Sequence, residues 1–287
     1  TINETKTFNH YYYSQIYVGS GVAIGDINND GLPDVFFGGN QVSDRLYLNK
    51  GDFQFEDITK KSKVAKNSGW TWGVTMADVN ADGYLDIYVS RNGNSDKLED
   101  RRNQLYINNQ DLTFTESAMK YGLGDVGFST QAVFFDMDND GDLDMYQVNQ
   151  LADKKLLLIN KIPREQFKYF RDRLYRNDNG KFKDVSKQVG ISTDVSYGLS
   201  VNASDFNNDG WMDIYVTNTS EGNSFYVNQK MGETILQFKE ENPDFHCVIL
   251  TGHTHGDESF KHLNPDRYKL GITPNYQTIN TVSTPTQ

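Results

Sequence analysis

The chain has 287 residues, a formal net charge of −11 and one cysteine, Cys247. That length supports a sizeable core, and a single thiol excludes an intrachain disulfide or a multi-cysteine zinc site. The acid excess disfavours a nucleic-acid partner, and no apolar run approaches the roughly 18–20 residues that a membrane-spanning helix needs.

The acidity is lopsided, with 29 Asp against 10 Glu and 28 Asn beside them. Glu suits helices, whereas Asp and Asn favour caps, turns and oxygen-rich metal loops. The composition therefore points to loops with a task. The chain opens at Thr1 without Met, which reads as a processed or excised product and leaves a secreted, cell-surface or periplasmic setting open.

In chain order, YYYSQIYV (11–18) reads as a first strand. A unit then follows that recurs four times. It consists of an apolar stretch, an acidic nonapeptide, a short β-branched strand, a variable loop, a third strand, a turn and a fourth strand. The nonapeptides are DINNDGLPD (26–34), DVNADGYLD (78–86), DMDNDGDLD (136–144) and DFNNDGWMD (205–213). Their second strands begin DVFF, DIYV, DMYQ and DIYV. Their third strands are RLYLN (45–49), QLYIN (104–108), RLYRN (173–177) and SFYVN (224–228). Fourth strands are expected in FQFEDIT (53–59), LTFTESA (112–118), GKFKDVS (180–186) and ILQFKEE (235–241). The third unit carries an insertion, LADKKLLLINKIPREQFKYF (151–170), that reads as a short helix or an extra hairpin.

Four-stranded antiparallel units at this spacing predict an all-β chain, a β-propeller with four recognisable blades at about 15–60, 68–118, 126–187 and 195–241. The propeller region spans 1–242, and 243–287 is a non-repeat tail. A fifth blade could be assembled from 11–18 with HCVIL, RYKLGI and YQTINTV of the tail; the tail could equally be a fused segment.

All four nonapeptides fit D-x-[DN]-x-D-G-x-x-D. Side chains at positions 1, 3 and 5 can converge on one ion, Gly at position 6 permits a sharp left-handed turn, and the carbonyl at position 7 and Asp at position 9 close the sphere. The expected ligands are Asp26, Asn28, Asp30, the Leu32 carbonyl and Asp34 in the first loop, and Asp78, Asn80, Asp82, the Tyr84 carbonyl and Asp86 in the second. In the third they are Asp136, Asp138, Asp140, the Asp142 carbonyl and Asp144, and in the fourth Asp205, Asn207, Asp209, the Trp211 carbonyl and Asp213. Hard oxygen donors on a flexible loop favour Ca²⁺ over Zn²⁺, copper or Mg²⁺, so about four Ca²⁺ ions are expected. The third loop, with an extra carboxylate at position 3, is expected to bind most tightly.

These phrases resemble the FG-GAP/VCBS repeats of the integrin-α-type β-propeller, over roughly residues 15–241. They are especially similar to secreted Bacteroidetes-type proteins that pair such repeats with an ASPIC/UnbV segment, which this chain lacks. Such propellers usually have about seven blades. The resemblance implies a non-enzymatic, calcium-stabilised extracellular module for adhesion or for binding a glycan or protein ligand. A structural scaffold that self-associates through an open propeller is the alternative.

Two further features bear on function. Trp70, Phe128 and Tyr197 stand eight residues before the first Asp of their loops, with Val18 at that place in the first unit. They read as packing between blades, or as a sugar-stacking platform to which Trp72 and Trp211 would add. In the tail, VILTGHTHG (248–256) resembles the last metal-binding motif of calcineurin-like metallophosphoesterases, making His253 and His255 a weak metal candidate. The carboxylate signatures that a dinuclear hydrolase needs are missing, so a phosphoester-cleaving or polysaccharide-processing enzyme is the minor alternative.

Overall fold

A computed structural model describes residues 2–6, 9–10, 16–65, 69–93, 97–151, 164–192, 194–219, 222–228 and the backbone of 235–239. Each repeat forms its own four-stranded antiparallel sheet, with strands in sequence order. The first holds β1 (Val22–Gly25), β2 (Asp34–Phe37), β3 (Arg45–Asn49) and β4 (Phe55–Asp57). The second holds β5 (Trp70–Ala77), β6 (Asp86–Asn92), β7 (Gln104–Asn108) and β8 (Phe114–Glu116). The third comprises β9 (Ser129–Phe135), β10 (Asp144–Asn149), β11 (Arg173–Asn177) and β12 (Phe182–Asp184). The fourth comprises β13 (Gly198–Ser204), β14 (Asp213–Asn218), β15 (Ser224–Asn228) and β16 (Ile235–Lys239). In the inner sheets the second strands are buried along their whole length, and because successive side chains point to opposite faces, both faces lie in cores between sheets.

The sheets stack in series through their first strands, β1 on β5, β5 on β9 and β9 on β13. Three apolar layers fill the junctions. Phe36, Leu46 and Ile58 meet Val74, Ile87, Val89 and Tyr106 between the first and second sheets. Tyr88, Leu105 and Leu123 meet Met145, Tyr175 and Phe182 at the next junction. Tyr146, Leu174 and Val189 meet Val201, Ile214, Val216 and Tyr226 at the last. This is a β-propeller-like all-β repeat fold.

Short helical turns follow the fourth strands of the first three sheets, where the repeat pattern predicts no further element. They are α1 (Thr59–Ser62), α2 (Ala118–Tyr121) and α3 (Ser186–Val189). Each begins because the acid ending the strand accepts the backbone N–H two residues on: Asp57 from Thr59 (3.0 Å), Glu116 from Ala118 (3.0 Å) and Asp184 from Ser186 (3.1 Å). Two end at a left-handed glycine, Gly122 and Gly190. In the third-unit insertion, Arg164–Tyr169 forms a 3-10 turn, and 152–163 lie outside the described residues. So do 11–15 and the whole tail with His253 and His255.

At the pole opposite the acidic loops, the residue before each third strand ties it to the second. Asp44, Asn103, Asp172 and Asn223 accept the backbone N–H of Gly39 (2.7 Å), Arg91 (2.7 Å), Asn149 (2.9 Å) and Asn218 (3.0 Å). Asp44 also takes a 2.6 Å ion pair from Arg91 and a 2.7 Å bond from the Thr71 hydroxyl, all three side chains being buried. One carboxylate thereby joins the first sheet to the second.

Candidate metal centres

The acidic nonapeptides form the hairpin turns between first and second strands, and all four have one backbone shape. Position 4 is left-handed in each, at Asn29 (φ 58°), Ala81 (57°), Asn139 (57°) and Asn208 (59°). The following Gly at position 6 is left-handed too, with φ between 84° and 93°. Asn tolerates that region and Gly prefers it, whereas Ala does so only at a cost.

Position 1 organises the loop. Asp26, Asp78, Asp136 and Asp205 each accept the N–H of position 5 on one oxygen, at 3.0–3.2 Å. Their other oxygen takes the N–H of the position 6 Gly, at 2.7–3.0 Å. Position 5 repeats the device one step on: Asp30, Asp82, Asp140 and Asp209 accept the N–H of Leu32, Tyr84, Asp142 and Trp211 at 2.9–3.0 Å. In three loops the position 3 amide donates to the position 5 carboxylate: Asn28 to Asp30 (2.9 Å), Asn80 to Asp82 (3.0 Å) and Asn207 to Asp209 (3.1 Å).

Position 9 lies at the root of the second strand, fully buried in every loop. One oxygen of Asp34, Asp86, Asp144 and Asp213 accepts the N–H of position 2: Ile27, Val79, Met137 and Phe206, at 2.7–3.2 Å. The other accepts the N–H of the Asn that ends the third strand: Asn49, Asn108, Asn177 or Asn228, at 2.8–2.9 Å. Burial dominates the titration of these carboxyls. It pushes Asp86 and Asp213 up to about 6 and Asp144 up to about 7, and raises Asp34 in the same direction. The neighbouring acids of each loop add to the rise, and the two backbone bonds oppose it. A cation beside these groups would reverse that balance.

The third loop brings its acids together most tightly. Asp136, Asp138 and Asp144 each place one carboxylate oxygen within 4.8 Å of the others. Asp138 and Asp142 each keep one buried oxygen without a hydrogen-bond partner. Such orphan acceptors in a cluster of hard oxygens fit a divalent cation of the calcium type. In the other loops, where position 3 is Asn, two carboxylates and an amide share the same frame.

The asparagines ending the third strands are absent from the sequence-derived set. The signal for them is the repeated Tyr-x-Asn of RLYLN, QLYIN, RLYRN and SFYVN. Beyond gripping position 9, their side chains cap the position 8 carbonyls of Pro33, Leu85, Leu143 and Met212. Two reach a neighbouring loop: Asn108 donates to Ile27 O (2.7 Å) and Asn228 to Met137 O (2.8 Å). The same two pairs of loops are joined from the other side, Asn29 donating to Gly83 O (2.9 Å) and Asn139 to Gly210 O (3.2 Å).

Except for Trp211, the aromatic candidates lie away from the acidic loops. Trp70 is buried against Ile16, with Trp72 beside it half-buried. Phe128 stacks on Phe170 at 4.9 Å under the Arg101 guanidinium. Isolated bridges pair Asn40 with Trp70 and Gln150 with Tyr197, each across a junction between sheets. Trp211 is half-buried at position 7 of the fourth acidic loop.

The family model for the FG-GAP-like repeat matches residues 11–89, 93–146 and 169–235, more than half the chain. The chain belongs to the FG-GAP-like repeat family. FG-GAP repeats are typical of extracellular or cell-surface proteins and are typically non-enzymatic. Among the described residues, no helix is long and apolar enough to cross a membrane. A curated relative, cartilage acidic protein 1 of Xenopus tropicalis, is 38% identical over 76 residues, which are 26% of this chain and 12% of that protein. The FG-GAP chain thus spans only a small part of that relative. Among solved structures, an Agrocybe aegerita lectin described for recognition of non-reducing terminal N-acetylglucosamine superimposes with a TM-score of 0.46 at 16% identity. The superposition covers 81% of this chain and 56% of the lectin.

Proposed function

We propose that this FG-GAP chain is a calcium-dependent extracellular binding module, its four acidic loops each holding one Ca²⁺ ion. The observation that carries the reading is the third loop, where three carboxylates converge within 4.8 Å and Asp138 holds a buried oxygen without a partner. Asp26, Asp78, Asp136 and Asp205 would share each ion with positions 3, 5 and 9 of their own loops. The ion supplies charge neutralisation, and the chain supplies a prefolded frame through its position 1 and position 5 backbone bonds. A bound cation also stabilises the folded form selectively. The ligand is an extracellular glycan or protein met by the variable rim loops, with the half-buried Trp72 on β5 and Trp211 in the fourth acidic loop as further contacts. Calorimetric titration of the metal-free chain with Ca²⁺ tests this reading. About four sites with dissociation constants of roughly 10⁻⁴–10⁻³ M or tighter are expected, the third loop filling first. No heat of binding, or heat unchanged by Asp136→Ala, would contradict it.

A further inference from the structure

The outer face of the first sheet is built like an interface but lies open. Strand register makes the repeats comparable, since Gly25, Ala77, Phe135 and Ser204 each pair with position 9 of their loop. On that basis Val22, Phe37 and Phe55 correspond to Val74, Val89 and Phe114 of the second sheet, each buried to 9% exposure or less by the first sheet. In the first sheet they are 51%, 48% and 42% exposed, and Ile24, the counterpart of Met76, is 66% exposed. Tyr47, the counterpart of the buried Tyr106, Tyr175 and Tyr226, is only half-buried, against the edge of Phe37. Among the described residues, the face thus keeps the residues of a junction without a sheet that covers it.

The opposite end of the stack offers the complementary surface. In each internal junction the covering face belongs to the preceding sheet, and its first strand leads the contact. Thr75 on β5, for example, donates its hydroxyl to Ala132 O on β9 at 2.8 Å. The equivalent residue of the fourth sheet is Asn202, exposed on β13 beside exposed Ser200. An aromatic group lies farther out on that sheet, Phe225 packing edge-on against Phe206 at 5.4 Å and near Tyr215 at 6.3 Å. Among the described residues, β1 and β13 do not share the packing that joins β1 to β5.

We infer that the first sheet docks on the fourth sheet of a second copy of this chain, head to tail, repeating the three internal junctions. Asn202 of one copy then donates to the Val22 carbonyl of the other, as Thr75 does to Ala132. Two such junctions close a symmetric pair, and the four sheets of each copy make eight, at the upper end of the range of about 4–8 blades known for propellers. This surface is separate from the acidic loops and does not rest on their binding calcium.

Sedimentation velocity of the full chain tests it, because the key side chains are exposed and their replacement leaves each monomer's core intact. At about 100 µM an interface of ordinary size with a micromolar dissociation constant is filled, so pairs are expected. Ile24→Asp and Asn202→Arg should each weaken pairing about 100-fold or more, by pressing an unpaired charge into the contact. Met119→Asp, which replaces an exposed apolar residue on α2, should leave pairing unchanged. An equimolar mixture of Ile24→Asp and Asn202→Arg chains should recover pairs, since one junction in the mixed pair is intact. Monomers at that concentration would overturn the inference and leave the face to residues 240–287 of the same chain. Pairing lost with Ile24→Asp but kept with Asn202→Arg would overturn it in favour of two first sheets meeting face to face.

Discussion

A carboxylate at position 9 carries more of the structure than its place in a metal motif suggests. Asp86 accepts one backbone bond from its own loop and one from the third strand, with no exposure to water. Asn at that place presents one acceptor and one donor to two N–H groups, so one of them loses its partner. Asp86→Asn should therefore destabilise the chain by about 1–3 kcal/mol in urea unfolding, even with calcium chelated. Asp138 behaves differently, because one of its oxygens has no protein partner. Asp138→Asn should leave stability in EGTA nearly unchanged or slightly raised through reduced like-charge repulsion, while weakening calcium binding at the third loop. Position 4 makes the reverse case. Ala81 adopts the left-handed region that Asn occupies in the other three loops. Ala81→Asn should stabilise by about 0.5–1 kcal/mol, read as a shift of the urea midpoint at constant m-value.

At the scale of strands and turns, the sequence shows most of the fold because each repeat announces itself four times. The acidic nonapeptide marks the first hairpin, and the apolar and β-branched stretches that flank it mark the strands on either side. All four third strands coincide with the Tyr-x-Asn segments, and the fourth strands fall inside the segments read for them. What the pattern did not show are the contacts made across sequence distance. The turns α1 to α3 depend on an acid capping two residues on, which resembles ordinary strand termination in sequence. The Asn108 bond to Ile27 O spans 81 residues, and no local pattern encodes it. The Asp44–Arg91 pair spans 47 residues and is likewise silent in sequence. Its worth can be measured. Asp44→Ala leaves Arg91 buried without its carboxylate and Gly39 N–H without an acceptor. It should cost about 3–5 kcal/mol in urea unfolding, and Asp44→Asn, which can keep the Gly39 bond, should cost less.

For the molecule as a whole, four sheets of one design share one pole lined with acidic loops, and the sheets touch chiefly through their first strands. Bonds between loops join the first to the second through Asn29 and Asn108, and the third to the fourth through Asn139 and Asn228. If the proposed ions bind, metal at one loop of a pair should steady its neighbour, and the acid-rich composition would then be a set of linked ion sites. Each site filled at ten times its dissociation constant adds about 1.4 kcal/mol to the folded form. Several filled sites would thus move the unfolding temperature by many degrees. The most direct test of the account is the thermal midpoint of the chain in millimolar calcium and again in EGTA. A rise of several degrees with calcium is expected, reduced but not abolished when Asp136, Asp138 and Asp144 are replaced together, since the other three loops keep their acids. An equal midpoint in calcium and in EGTA would contradict it.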